Sequence, residues 1–527
     1  MSMARESTGR HALLVGIGIL LSRIMGLVRQ RVFSHYFGLS DTADAFSSAL
    51  RVPNFLQNLF GEGVLSASFI PVYARLLAEG KEEEADHVAG AIGALLGLVI
   101  SVIVLIGILV TPWLLWAIAP GYSGAKRELT ILLVRILFPG TGLLVCSAWC
   151  LGILNSHRKF FLSYSAPVLW NAAMIASLLI FRRAGQEQLA VYLAWGTVAG
   201  CALQFLIQIP PVLRFTSHLR LNLDTTSHHV REVVRNFGSV AISRGVVQIS
   251  AYVDQALSSL LGQGAMAAMT TAASINMLPV SLFGMAVSAA ELPAMASAVG
   301  MQHDSETYAA LVKRVNAGLR QIAFFIVPSA MAFFALGDVI TAALYQTGHF
   351  THAHTLYVWG IIAGSGVGLL ATTLGRLYSS TYYALRDTRS PLRFALVRLA
   401  LTTLFGVACV LVATPVLGLA PRWGAAGLTA SAGIAGWVEF MLLRRKLNAR
   451  IGHTGLPFSL MVNLWGAALA SAAFAWVVKL QFHHDKPILL ALLVLGTYGV
   501  LYFLLTWLLG IEECRKVLDR LLRRFKR

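Results

Sequence analysis

Apolar windows recur from one end of the 527-residue chain to the other, near 11–38, 42–72, 88–118, 129–154, 161–181, 189–213, 238–261, 266–299, 321–345, 355–383, 394–419, 424–443, 458–478 and 488–511. Each is long enough to cross roughly 30 Å of hydrocarbon as a helix. The pattern predicts an all-α polytopic membrane protein with about fourteen transmembrane helices. Composition agrees: 57% of residues are apolar and 13% charged, with a mean hydropathy of +0.70. A soluble domain carries about 25% charged residues, so this chain cannot face water everywhere. No small-residue cleavage site follows the first apolar run, which argues against a secretory leader.

The net charge of +18 raises the question of nucleic acid, and its distribution answers it. Basic residues cluster after alternate spans, as HRKF at 157–160, LRDTRSPLR at 385–393, RRKLNAR at 444–450 and the tail RKVLDRLLRRFKR. By the positive-inside rule these loops and both termini are cytoplasmic, and no nucleic-acid partner is needed. The loops on the other side, such as GLSD, LGQGA and HHDKP, leave no room for an external domain. Inside, KEEEADH at 81–87 reads as a solvated acidic loop, and only the 214–237 segment is longer. Cys146 and Cys150 lie four apart on one apolar helix, with Cys201, Cys409 and Cys514 scattered; they read as packing thiols, with no metal set and no disulfide framework.

A repeat is visible. The segment 37–71 resembles 261–293, with Gly38 matching Gly262, Pro53 matching Pro279, Phe60-Gly61 matching Phe283-Gly284 and Pro71 matching Pro293. The basic turn NSHRKFF is echoed by LRDTRSP about 229 residues further on. Six spans lie within each period, so both halves would sit the same way up. The expected organisation is an N-lobe at 1–220 with spans 1–6, a C-lobe at 221–450 with spans 7–12, and a segment 451–527 holding two extra spans and a basic cytoplasmic tail. The four matched prolines should break spans two and eight, freeing carbonyls that only protein or a wet cavity can satisfy.

Charged residues inside the spans are the candidate chemistry. An arginine at the centre of a membrane helix costs about 2.5–3.5 kcal/mol on insertion scales. Arg23, Arg29, Arg51, Arg135, Arg244 and Arg376 fall within spans, faced by Asp44, Asp254 and Glu291. Arg23 and Arg29 are about 120° apart on an ideal helix and would flank a wide cavity rather than share a narrow stripe. Guanidinium forks suit phosphate, so a cavity richer in arginine than carboxylate should draw an anion such as pyrophosphate. Plain helix-locking ion pairs are the competing explanation. No GxxxxGK[ST] loop occurs, which leaves the membrane potential or a monovalent cation as the drive, with Asp254 and Glu291 as candidate coupling residues. No cofactor and no resident metal is expected.

SRIMGLVRQRVFSHYFG at 22–38, followed by DTADAFSSALRVPNFLQNLFGEGVLSASFIPVYA at 41–74, closely resembles the N-terminal signature of the MurJ/MviN lipid II flippase family, within the multidrug/oligosaccharidyl-lipid/polysaccharide exporter superfamily. APGY at 119–122, the block at 151–171, LYQTGHFT at 344–351 and YYALRDTRSPLR at 382–393 look like further family blocks. The resemblance implies a transporter, not an enzyme. It would flip undecaprenyl-diphosphate-linked peptidoglycan precursor (lipid II) from the cytoplasmic to the periplasmic leaflet of the bacterial inner membrane, by alternating access between two lobes. Its implied partners are that glycolipid, membrane lipids and cell-wall synthesis proteins. Arg23, Arg29 and Asp44 match family positions needed for function; Arg51, Arg244, Glu291 and Arg376 complete the expected cavity set. Two positions depart from the family: Gln57 and, after Ser274, Ile275 stand where arginines are usual. These put the lipid-linked substrate in question and keep open a flippase for another polyprenyl-diphosphate glycan or a non-transporting scaffold. A cationic-drug antiporter would want an acidic cavity, and a membrane glycosyltransferase would want large external loops.

Overall fold

The computed structural model describes residues 2–285, 287–288, 291, 295, 305–413, 416, 418, 420–482 and 486–525. The described residues are 86% helical, and no strand occurs among them. Two compact units divide it, 1–267 and 268–527.

The first unit runs α1 (Ser2–Phe37), α2 (Asp41–Phe60), α3 (Glu62–Ser68), α4 (Ile70–Ala78), α5 (Glu82–Ile118), α6 (Gly124–Ser156), α7 (Phe160–Ser165), α8 (Pro167–Ile180), α9 (Gln186–Leu206), α10 (Ile209–Phe215), α11 (His228–Ser259) and the first residues of α12 (Ala265–Pro279). The second holds the rest of α12, a π-helical turn Val280–Met285, α13 (Ser305–Ala335), α14 (Gly337–Tyr345), α15 (His352–Ala384), α16 (Arg389–Ala408), α17 (Gly424–Ile451), α18 (Phe458–Gln481), α19 (Pro487–Leu508) and α20 (Glu512–Phe525).

Among the described residues ten helices are long and apolar enough to cross a membrane. The other four expected windows fall on α1, on α2 to α4, on α7 and α8, and on α11. These are helical, but they are the segments that carry the intramembrane charges or are cut short by turns. A count of fourteen therefore depends on helices whose own composition does not declare them. Lipid-facing surface is plain on α5: only 22% of its most apolar window is buried, and Trp113 and Trp116 stand 70% and 74% exposed. Such exposure is stable when the surrounding solvent is hydrocarbon.

Proline does less than the sequence suggests. Pro53 sits inside an unbroken α2. The interruption comes at Gly61, where a Cβ would lie 2.2 Å from the Gln57 carbonyl oxygen, so no larger residue fits. Pro71 opens α4 in its first turn, where its missing N–H costs nothing. Pro279 closes α12 ahead of the π turn, and Pro293 lies outside the described residues.

In the first unit α6 is the hub, packed on α2, α5 and α9, while α11 lies against α2, α3 and α5. The acidic KEEEADH stretch is no free loop. It forms the first turn of α5, where Asp86 accepts from the His218 N–H at 2.9 Å and binds the 216–227 segment to the helix. In the second unit α15 and α17 meet closely enough that a Cβ on Gly368 would lie 2.2 Å from Gly433 Cα, the small-residue contact that lets membrane helices approach. The last two long helices belong to this unit: Ala472 and Ala475 of α18 and Val494 and Tyr498 of α19 pack with Leu336 and Val339. Half-buried Lys479 of α18 pairs with buried Asp338 of α14.

The repeat leaves a backbone signature. Gly38 and Gly262, matched in sequence, both take positive φ (56° and 90°). Arg158 and Arg386, in the two matched basic turns, are the positive-φ non-glycine residues among the described ones, at 60° and 57°. Each turn closes its helix the same way. The Arg158 N–H donates to Asn155 O and Lys159 N–H to Leu154 O; Arg386 N–H donates to Tyr383 O and Asp387 N–H to Tyr382 O.

Candidate functional site

Three groupings in the first unit, and three residues in the second, carry the polar chemistry expected of the spans. The most completely satisfied surrounds Asp44, in the first turn of α2. Ser40 caps that helix, its Oγ accepting from the Ala43 N–H, and Asp41 and Asp44 follow where the helix dipole favours anions. Asp44 is fully buried. Its Oδ2 accepts from Lys126 Nζ at 2.6 Å and from the Gly264 N–H at 2.7 Å, and its Oδ1 accepts from the Ala267 N–H at 2.8 Å. Lys126 reaches Asp41 as well, at 2.8 Å, and lies 4.4 Å from the centroid of the Tyr122 ring. The Tyr122 hydroxyl bonds Ser48 at 2.8 Å. Alongside, the Gly121 N–H donates to Ser259 Oγ, and a Cβ on Gly121 would lie 2.2 Å from Ser259 O. One carboxylate thus joins the start of α2, the APGY turn with the start of α6, and the Gly262–Ala267 turn. The composition offered no sign of Lys126: it lies in a short polar link between spans, and only the fold brings it to Asp44.

Arg29 is the second centre. Its guanidinium carbon lies 5.3 Å from the Trp170 ring centroid, and its Nη1 is 3.9 Å from Met174 Sδ, both on α8. An aromatic face can stabilise a cation away from water by roughly 2 kcal/mol, which offsets much of the insertion cost of an arginine. Arg23, two turns earlier, is exposed, and Gly26 between them has open space where a side chain would stand.

The third grouping lies at the far end of α2. A cavity of about 640 Å³ is lined by Gln57, Asn58, Glu62, Gly63, Ser66 and Ala67. Asn58 donates to Gln248 of α11 at 3.2 Å. Amides and a carboxylate replace the expected arginine, so this wall is built for hydroxyl, amide or ammonium groups rather than phosphate. Midway along α2, Arg51 feels the Asp254 carboxylate of α11, and its carbonyl accepts from Tyr252 at 3.5 Å. Asp254 thus lies within electrostatic reach of a cation on another helix. Arg244 also belongs to α11, but its side chain lies outside the described residues.

In the second unit Glu291 lies 3.6 Å from Arg314, with Oε2 buried and not hydrogen-bonded. Arg376 is exposed and feels both members of the Arg398–Glu439 pair, which are 3.2 Å apart. Ile275 is packed inside its unit at 1% exposure. The expected set is thus distributed over several places. Arg51 and Asp254 lie within electrostatic reach of each other, and Asp44 is held by Lys126 rather than by an arginine of α1.

At the end of α6, His157 accepts or donates at 3.1 Å to the Tyr73 hydroxyl and stacks on Phe215 with ring centroids 4.9 Å apart. Burial holds its pKa below the ordinary imidazole value, against the opposing pull of Asp86 and Glu82.

Comparison with known proteins joins these observations. Residues 33–508 match the sequence profile of the family described as "Lipid II flippase MurJ". The lipid II flippase MurJ of Burkholderia cenocepacia is 31% identical over 511 residues, covering 94% of this chain and 96% of its own length. The probable lipid II flippase MurJ of Rhizobium tropici is 31% identical over 519 residues, covering 94% and 93%. In fold, the chain is similar to a lipid II flippase MurJ solved in an inward closed conformation (TM-score 0.77, 22% identity, 94% of this chain and 99% of that one). It is also similar to an inward-facing multidrug resistance MATE family transporter (TM-score 0.67, 20% identity, 83% and 98%). The resemblance carried by the α1 and α2 blocks thus extends over nearly the whole chain, which belongs to the MurJ lipid II flippase family.

Proposed function

We propose that this protein carries lipid II across the bacterial inner membrane, from the cytoplasmic to the periplasmic leaflet, by alternating access. The observation that carries the reading is family membership across residues 33–508, joined to an arginine on α1 held over the Trp170 ring. In this reading Arg23 and Arg29 meet the pyrophosphate. The Asp44 cluster secures the outer ends of α2, α6 and α11, and the protein works as two six-helix lobes plus two added spans with both termini cytoplasmic. Transport draws on the membrane potential or a monovalent cation, with Asp254 and Glu291 as the residues to examine.

A second reading has one specific observation in its favour. The amide and carboxylate lining at Gln57, Asn58 and Glu62 suits a headgroup other than the usual one, attached to the same polyprenyl diphosphate. Complementation separates the two. In a strain depleted of its own lipid II flippase, the gene should restore growth, with labelled precursor becoming accessible on the outer leaflet. Correct membrane insertion without rescue, combined with transport of a different polyprenyl-diphosphate glycan, would establish the second reading instead.

A further inference from the structure

Away from the membrane-spanning chemistry, the first turns of α5 and α11 bring together a second polar cluster. His228, His229 and Glu232 follow one another on α11 as His-His-x-x-Glu. The i, i+4 and i, i+3 spacings turn both imidazoles toward the carboxylate. One ligand atom from each lies within 4.8 Å of the other two. A fourth group approaches from α5: Glu84 Oε2 is 3.7 Å from His229 Nε2. His229 Nδ1, 3.9 Å from Glu232 Oε2, is buried and makes no hydrogen bond. Glu232 is oriented from behind by Arg75 of α4, whose Nη2 lies 2.7 Å from Oε2. Metal-ligating carboxylates characteristically have such an outer partner.

We propose that His228, His229 and Glu232 form a binding site for a first-row transition-metal dication, of which Zn²⁺ fits best, with Glu84 as the fourth ligand. Two imidazole nitrogens and carboxylate oxygens are the donor set of zinc rather than of magnesium or calcium, which take oxygen alone. Tetrahedral coordination at the usual zinc bond lengths puts ligand atoms roughly 3.3 Å apart. The three ligand atoms of α11 lie within 4.8 Å of one another, and Glu84, 3.7 Å from His229 Nε2, would join them by a side-chain rotation. The ion would neutralise Glu232, which Arg75 alone now pairs at short range, together with Glu84, whose neighbour is His229. It would also fasten the beginning of α11 to the beginning of α5 through Glu84, beside the Asp86 bond and the His87–Asp224 contact at 3.4 Å that hold the preceding 216–227 segment to α5. Any motion of α11 relative to α5 would then be slowed while the ion is bound.

The test uses the full-length protein in detergent or nanodiscs, freed of any affinity-tag histidines. Titration with Co²⁺ should give the intense visible bands of tetrahedral cobalt at about one ion per chain, displaced by Zn²⁺ and untouched by excess Mg²⁺. His228→Ala and His229→Ala should each lower Zn²⁺ affinity by at least about tenfold in calorimetry. They spare the Arg75–Glu232 bridge, so they should retain the wild-type size-exclusion profile. Glu84→Gln should lower affinity by a smaller factor and weaken the cobalt bands. Octahedral cobalt spectra, heats unchanged in both histidine variants, or no stoichiometric binding by the wild type would each overturn the proposal. Should either alanine variant aggregate, His228→Asn, which keeps a polar side chain at the helix start, takes its place with the same expected loss.

Discussion

Replacing Asp44 with asparagine removes one negative charge and little else, which makes it the sharpest probe of the cluster around it. The carboxylate receives a lysine and two backbone N–H groups in full burial. Asparagine retains one acceptor oxygen and turns an NH₂ toward donors that cannot receive it. Breaking a buried pair by changing one partner costs about 3–5 kcal/mol. Lys126 keeps Asp41 at 2.8 Å, a half-exposed partner, which places the loss near 3 kcal/mol. That is a shift of about 150-fold in the equilibrium between the joined and separated forms of this end of the unit. Hydrogen exchange read by mass spectrometry on a peptide spanning 262–268 should show the Gly264 and Ala267 amides exchanging about 100-fold faster, with the middle of α6 unchanged. Asp41→Asn, at an exposed position, should move the same amides by less than tenfold. Unchanged protection at 264 and 267 would refute the reasoning, and so would an equal rise across the whole protein, since that reports general destabilisation.

Other predictions follow from the same geometry. Arg29→Ala should abolish transport while the protein inserts normally, and Arg29→Lys should recover part of it, because lysine keeps the charge over Trp170 and loses the fork; transport by Arg29→Ala at the wild-type rate would exclude a role in anion binding. Gly121→Ala should lower thermal stability by about 2 kcal/mol or more, since its Cβ meets the Ser259 carbonyl, and a differential scanning melt would show it. Burial lowers the folded pKa of His157, so its unfolded form binds a proton first. Its contribution to stability is therefore complete above the ordinary value near 6.5 and is lost as pH falls below it toward the folded pKa. His157→Gln should flatten the melting temperature over that acid range. A cysteine at Ser47, which is buried in this conformation, should resist an impermeant thiol reagent until the Asp44 cluster is released.

The helical membrane body was readable from the sequence because hydrocarbon imposes one solution on an apolar chain. The basic turns at 158 and 386 were readable too, since their matched sequences fold into the same αL turn. What the sequence concealed was pairing across spans. Asp44 and Lys126 are separated by 82 residues and two turns, and nothing in either neighbourhood names the other. Proline misled in a specific way. Pro53 is accommodated within α2, while the break falls at Gly61, where backbone crowding rather than a missing donor decides. The KEEEADH segment reads as solvated because its acids are consecutive. One of them, Asp86, is turned inward by helix periodicity and anchors a loop more than a hundred residues away.

The order of synthesis gives the Asp44 cluster a further consequence. Asp44 leaves the ribosome 82 residues ahead of its lysine and 220 residues ahead of the first backbone donor. At about 5–20 residues per second the second interval is roughly ten to forty seconds. Throughout it a carboxylate that ends fully buried has at most Lys126 and water for company. The first unit cannot complete its own interior until the turn before α12 has been made, so a nascent chain halted short of Gly264 holds every helix from α1 to α11 and still lacks the donors that let its second helix close. The ribosome must therefore be about halfway through the chain before that early charge is buried.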